Sequence, residues 1–234
     1  MEEIEKIKKA YARRAHLGKD KLHSKFNPAA LYNGHQIQKE IINAFKKNGI
    51  NDISNKRILD VGCGVGNDLR NFVQFGANPD NLNGIDLLPE SVERAKKISS
   101  NINFKCANAE DLPFDSNYFD IVVTFVTFTS ILDSQMKKNI AKEMERVLAP
   151  QGIILWYDFF LNNPWNPDVR GVKKREIYKL FPGCKIWFKK ISLIPQIIRF
   201  LAPYSWLACY LLEKIPLLRT HYLAVIHKRK MDKS

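Results

Sequence analysis

The stretch Ile58-Leu-Asp-Val-Gly-Cys-Gly-Val-Gly-Asn67 decides the fold. A short apolar run, Arg57–Val61, reads as a strand that feeds a glycine turn. A glycine lacks a Cβ and admits positive φ, so backbone at such a turn can approach a ligand closely. The spacing is Gly-x-Gly-x-Gly, not the Gly-x-Gly-x-x-Gly of a dinucleotide fingerprint. Asp60 precedes Gly62 by two positions. A pyrophosphate needs amides and positive potential at a turn of this kind, and a carboxylate repels it. A ligand carrying positive charge is attracted instead.

Outward from the turn the pattern alternates. Asp68–Phe75 reads as a helix stopped by Gly76, Asn81–Asp86 as a strand, and Glu90–Ser99 as a helix with Pro89 at its start. Ile102–Cys106 and Phe119–Phe125 read as strands. Ser134–Leu148 is a helix closed by Pro150 and Gly152, and Ile153–Phe159 another strand. Such alternation predicts an open parallel sheet with helices on both faces, and it places ligands in the loops after the strands. Upstream, Glu2–Leu17 is an amphipathic charged helix, 26–31 a break at Pro28, and Gly34–Asn48 a second helix. Downstream lie a helix at Lys173–Leu180 and strands at Cys184–Ser192 and Tyr222–Lys228. The expectation is a Rossmann-like, doubly wound α/β fold. Its seven-stranded sheet is mostly parallel with an antiparallel last strand, and a helical insertion separates the last two strands. Three parts follow: a helical cap at 1–50, a cofactor-binding core at 51–160, and the rest of the sheet at 161–234 with an acceptor-cap insertion at 193–220.

The chain of 234 residues has a net charge of +13, and residues 161–234 hold most of the excess, with 15 Lys+Arg against 4 Asp+Glu. That third is expected to face an acidic partner or to be a solvated, solubilising face. Its partner classes are a phosphorylated or carboxylated substrate, an anionic membrane surface and nucleic acid. Cys63, Cys106, Cys184 and Cys209 have no zinc-type or disulfide spacing, and no acidic cluster suggests a metal. No signal peptide or membrane-spanning run is read, which points to the cytoplasm.

Four segments, LDVGCGVGN, GIDLLPESVERAK, NAEDLPFDSNYFDIVV and EMERVLAPQGIIL, resemble the class I S-adenosylmethionine-dependent methyltransferases of the small-molecule branch, in order and spacing. The resemblance implies S-adenosylmethionine as cofactor, whose ammonium and sulfonium suit Asp60. It implies that Asp60, Gly62, Cys63 and Gly64 line the methionine end, with Asn67 in the cofactor set. Asp86 and Leu87 are implied to hold the ribose and cover the adenine. Asn108, Ala109 and Glu110 are implied to meet the adenine, and Phe125 to lie near the sulfur. Two positions depart from the pattern: Asn108 stands where Asp is usual, and Thr129-Ser130 replaces a frequent His pair.

The loop Thr124–Ser130 is not the Asn/Asp-Pro-Pro-Tyr type used on exocyclic amines of nucleobases, and no Pro-Cys pair exists for cytosine C5 chemistry. The leading expectation is therefore O-methylation of a small molecule or glycan, at a sugar hydroxyl or phosphate. The alternative is an RNA methyltransferase or binding module using the basic third. Asp158 and His221 are the candidate bases, beside His16 and His35 as weaker ones. Trp165, Arg170 and Tyr204 are candidate acceptor contacts, and the Asn/Pro-rich loop Asn162–Arg170 is either an acceptor loop or a packed turn. Similarity to bacterial surface-polysaccharide-cluster methyltransferases at WYDFFLNNP and LRTHYL points toward a glycan. The insertion Leu193–Thr220 is either a cap on the sheet or a membrane-surface element.

Overall fold

A computed structural model of the protein describes residues 2–16, 24–162 and 166–228. Helices α1 (Glu2–His16) and α2 (Pro28–Lys47) precede β1 (Ile58–Val61), α3 (Asn67–Gln74), β2 (Leu82–Asp86), α4 (Pro89–Ile98) and β3 (Asn103–Cys106). Then come β4 (Phe119–Phe125), α5 (Ser134–Val147), β5 (Leu148–Phe159), α6 (Lys174–Leu180) and β6 (Lys185–Leu193). Helices α7 (Pro195–Leu201) and α8 (Trp206–Glu213) lead into β7 (Arg219–His227). The strands form one sheet in the order β3-β2-β1-β4-β5-β7-β6. β1 pairs in parallel with both β2 and β4, and β7 is antiparallel to β5 and β6. The order reverses at β1, so the turn after it opens into the crevice between two diverging halves of the sheet.

Both faces of the sheet are buried, which is why its central strands are continuous apolar runs. On β5, Ile154 and Trp156 pack on the face that carries α5 and α6, while Ile153, Leu155 and Tyr157 pack on the face of α2, α3 and α4. A third cluster joins Ala29 and Tyr32 of α2 to Ile198, Ala202 and Cys209 of the α7–α8 hairpin.

Two boundaries depart furthest from the sequence expectation. Pro28 does not break the chain but starts α2: Asn27 caps the helix, its Oδ1 accepting from the Ala29 amide at 3.0 Å. Proline is tolerated there because the first-turn amide has no helical acceptor to lose. β5 begins at Leu148, directly after α5, rather than at Ile153. Phe119 pairs with Leu148 and Ile121 with Ile153, so the extra residues around Pro150 are taken up in a register shift.

The described residues of the loop at 162–170 make local side-chain hydrogen bonds. Asn162 Oδ1 accepts from the Gly171 amide at 3.0 Å, and Asn166 Oδ1 accepts from the Asp168 amide at 3.2 Å. Trp165 lies outside the described residues. Arg170 does not point to an acceptor pocket; it donates to Glu176 at 2.9 Å. The same Glu176 oxygen accepts from Lys137, whose side chain is 0% exposed. A buried ammonium left without its carboxylate costs several kcal/mol, whereas an apolar isostere does not. Glu176→Ala is therefore expected to lower unfolding free energy by roughly 3 kcal/mol, and Lys137→Met by far less. Urea denaturation of both variants checks this; equal losses contradict it.

Candidate cofactor and acceptor site

β1 delivers Asp60 to the carboxyl edge of the sheet. Strand alternation aims it to the same face as Ile58, which clusters with Leu69 and Phe72 of α3. Its side chain is buried, and Oδ2 has no hydrogen-bond partner among the described residues. Burial, with Asp68 and then Asp86 close by, pushes its carboxyl well above the usual range. Asp68, at the start of α3, is raised by burial to about 6 in spite of Arg70. Burial also raises Asp86. Three carboxyls thus converge on the glycine turn, and Arg70 is turned to Val65 O and Asn67 Oδ1 instead. Asp68 escaped the sequence reading because only the fold brings it beside Asp60.

The turn itself is shaped by close approach. Gly62 has φ +83°, and a Cβ there would lie 2.5 Å from Thr127 Oγ1. Thr127 in turn donates to Val61 O at 3.1 Å, so the loop after β4 is tied to the loop after β1. Gly64 has φ +52° and open space where a side chain would be. Its amide donates to Asp86 Oδ2 at 2.8 Å, and the Leu88 amide donates to Oδ1 at 2.9 Å. Each carboxylate oxygen keeps a further lone pair for a ligand hydroxyl. Cys63 is buried, and its thiol is pushed up by burial and the neighbouring acids. Asn67 is exposed and joined to Arg70.

The loop after β3 stands beside this turn. Asn108 Oδ1 accepts from the Glu110 amide at 3.1 Å, and Glu110 Oε1 accepts from Asn139 at 2.7 Å. The Ala109 amide has no protein acceptor among the described residues. α1 lies over this edge: Leu87, Ala107 and Ala109 pack in the cluster that contains Ile7. Glu3 Oε1 holds it there by accepting from the Leu132 and Asp133 amides. A cleft of about 400 Å³ remains between Lys8, Lys9 and Ala12 of α1 and Leu88–Glu90.

A second polar group lies at the same edge of β5, β6 and β7. The Tyr157 hydroxyl hydrogen-bonds with Ser192 Oγ at 2.8 Å and with the Asn33 side chain. Thr220 Oγ1 donates to Ser192 O at 3.2 Å and lies 2.9 Å from His221 Nδ1. The His221 ring stacks on Tyr157 with centroids 4.8 Å apart, and Tyr157 meets Phe125 edge-on at 6.0 Å. Burial lowers His221 to about 4. Val126 (φ 56°) and Ser192 (φ 62°), both left-handed, flank this group. For a β-branched residue that conformation is strained, and such strain concentrates at functional sites. Tyr157, Ser192, Asn33 and Thr127 were not singled out in the sequence.

The other sequence candidates lie elsewhere. Asp158 is buried and satisfied, its oxygens accepting from Thr129 Oγ1 at 2.7 Å, the Thr129 amide and the Phe159 amide. Burial raises it to about 7. Tyr204 is 83% exposed at the tip of the α7–α8 hairpin, where its ring meets Phe200. His35 packs edge-on to Trp206 at 5.6 Å.

Residues 58–152 match the family described as "Methyltransferase domain". Over 122 residues the chain is 30% identical to the sterol 4-C-methyltransferase of Caenorhabditis elegans, covering 49% of this chain and 34% of that one. Over 146 residues it is 32% identical to the ubiquinone/menaquinone biosynthesis C-methyltransferase of Shewanella sediminis, covering 60% and 54%. The chain thus spans about half or less of these relatives' length. The structure also superposes on a SAM-dependent methyltransferase of Methanosarcina mazei, with TM-score 0.58, 17% identity, and coverage of 81% of this chain and 97% of that one. Residues 58–152 thus match a methyltransferase domain, the sheet has the fold of the solved S-adenosylmethionine-dependent enzyme, and S-adenosylmethionine is the cofactor that the match indicates.

The site's chemistry fits that group. The Asp60 oxygen without a partner among the described residues and the convergent carboxyls suit the ammonium and sulfonium of a methionine end, and Gly64 leaves room for it. With that group bound, Asp86 would hold the ribose hydroxyls, and Asn108 and Ala109 the adenine edge. Replacing Asp86 with Ala removes both the hydroxyl acceptor and the anchor of the Gly64 and Leu88 amides. We expect S-adenosylhomocysteine to bind at least about tenfold more weakly, as loss of a charged hydrogen-bond acceptor implies. Calorimetry gives the result, and unchanged affinity refutes the ribose assignment.

Proposed function

We propose that the chain transfers the methyl group of S-adenosylmethionine to a hydroxyl of a small molecule or glycan, with His221 as the base. The cofactor supplies an electrophilic methyl group; the protein's task is to align the acceptor and take its proton. The observation that carries the acceptor reading is the contact of Thr220 Oγ1 with His221 Nδ1 at 2.9 Å, beside its contact with Ser192 O at 3.2 Å. With its hydroxyl proton on Ser192 O, Thr220 would accept from His221 Nδ1–H. Nε2 is then left with its lone pair, and burial keeps the ring neutral down to about pH 4. Burial also weakens the ring as a base, so the proton moves to it as the hydroxyl oxygen bonds to the methyl group and becomes acidic. Phe125 and Tyr157 form the aromatic wall between this nitrogen and the glycine turn, and Ser192 and Asn33 offer polar contacts to the acceptor.

Asp158 acts as a positioning residue in this reading. It holds Thr129 beneath the loop after β4, and that loop carries Val126 and Thr127. The basic excess of 161–234 suits an anionic acceptor, and the strand-four loop argues against a nucleobase.

His221→Asn is expected to lower kcat by about 10²–10⁴ while cofactor affinity holds, the loss typical of a removed general base. A screen of hydroxyl acceptors with tritiated cofactor, paired with calorimetry, separates the two effects. Equal kcat in the variant overturns the role of His221. The sign of the stability effect follows too. His221 titrates near 6.5 when unfolded and about 4 when folded, so its burial adds stability above the unfolded value. That contribution is lost as pH falls from about 6.5 toward 4, and His221→Asn should flatten it in urea melts at stepped pH.

A further inference from the structure

The α7–α8 hairpin buries one set of apolar side chains and leaves another outside. Ile198, Ala202 and Cys209 are buried with Ala29 and Tyr32 of α2. Phe200 (73%), Tyr204 (83%), Leu207 (67%), Leu211 (58%) and Leu217 (86%) are exposed. On α8, Leu207, Leu211 and Lys214 fall at i, i+4 and i+7, so they make one stripe. The stripe runs into a pocket of about 70 Å³ whose cations are Lys39, Lys189, Lys190, Lys214 and Arg219. Its two acids are engaged: Glu40 pairs with Lys189, and Glu213 accepts from the Tyr32 hydroxyl at 3.0 Å. Lys39 and Lys214 lie 5.1 and 4.3 Å from the Tyr210 ring, with no carboxylate in ion-pair reach among the described residues.

We propose that this surface docks the protein on an anionic lipid bilayer, with the leucine and aromatic side chains in the acyl boundary and Lys39 and Lys214 against lipid phosphates. Exposed apolar groups beside free cations are what an interfacial helix presents to such a membrane. Charge decides between occupants. A second copy would bring the 15-to-4 basic excess of residues 161–234 against itself, whereas an anionic surface is attracted to it. No helix of the described residues is long and apolar enough to cross a membrane, so the contact is interfacial. The docked face is one helix away from the acceptor group: Tyr32 and His35 of α2 touch Trp206, and Asn33 between them reaches Tyr157. This placement suits a hydroxyl carried by a membrane lipid, a refinement that rests on the methyl-transfer reading; the docking itself does not.

The test is co-sedimentation of the full chain with sucrose-loaded vesicles of phosphatidylcholine alone, or mixed equally with phosphatidylglycerol. Binding is expected to the mixed vesicles and not to the neutral ones, and to weaken with salt. Leu207→Asp with Leu211→Asp should weaken partitioning by at least about tenfold. Both positions are exposed, so the melting temperature should stay put. Lys39→Glu with Lys214→Glu should weaken it as well. Failure of the unaltered chain to sediment with mixed vesicles overturns the proposal, as does equal binding by the aspartate variant. A dimer in light scattering that the aspartate variant dissociates overturns it too, by assigning the face to a second copy. Vesicle binding is read without methyl transfer, so its failure leaves the methyltransferase reading standing.

Discussion

Asp60 sits where β1 ends, sealed from water, with one carboxylate oxygen unpartnered and two more carboxyls close by. Burying such a group without a partner opposes folding by several kcal/mol unless it takes up a proton or a cation. The whole carboxyl edge is arranged around this constraint. The parallel register of β1 with β2 aligns Asp60 with Gly84 and brings the Asp86 end of β2 beside the turn. Gly62 must lack a side chain because Thr127 ties the next loop down upon it. α1 closes over the outer edge. The ammonium and sulfonium of a bound cofactor would relieve the repulsion among these carboxyls, so the feature that costs stability would also select the ligand.

The two chemical groups of the site are built by different parts of the sheet. The parallel half, β1 to β3, supplies carboxyls and free amides for the cofactor. The antiparallel corner of β5, β7 and β6 supplies a buried imidazole, His221, and the hydroxyls of Tyr157, Ser192 and Thr220. Phe125, Tyr157 and His221 make an aromatic path from one to the other. The family match covers 58–152, which contains all of the parallel half around the glycine turn and ends within β5, before β6 and β7.

Much of the parallel half was legible in the sequence because its signals are local. A glycine turn after an apolar strand, an acid at the next strand end and a regular alternation of periods all lie within short windows. Asp60, Gly62, Gly64, Asp86 and Ala109 fall together at one edge as those windows imply. Pro28 was misread as a break because a proline in the first helical turn and a proline in a loop look alike without the capping geometry of Asn27. Tyr157, Ser192 and Asn33 were invisible because they meet only through the register of β5, β7 and β6 and the packing of α2. Tyr204 and Arg170 looked apt by residue type, yet the first is a tip residue and the second belongs to the Lys137–Glu176 pair.

The most direct measurement is the proton count on cofactor binding. Titrating the full chain with S-adenosylmethionine near pH 6, in buffers of different ionisation enthalpy, reads protons released by the three carboxyls. Burial raises Asp68 to about 6 and also raises Asp60, so both carry protons near that pH and a bound cation drives protons off. The account predicts binding with net proton release that shrinks in Asp68→Asn. Binding with no buffer dependence, or no binding, contradicts it.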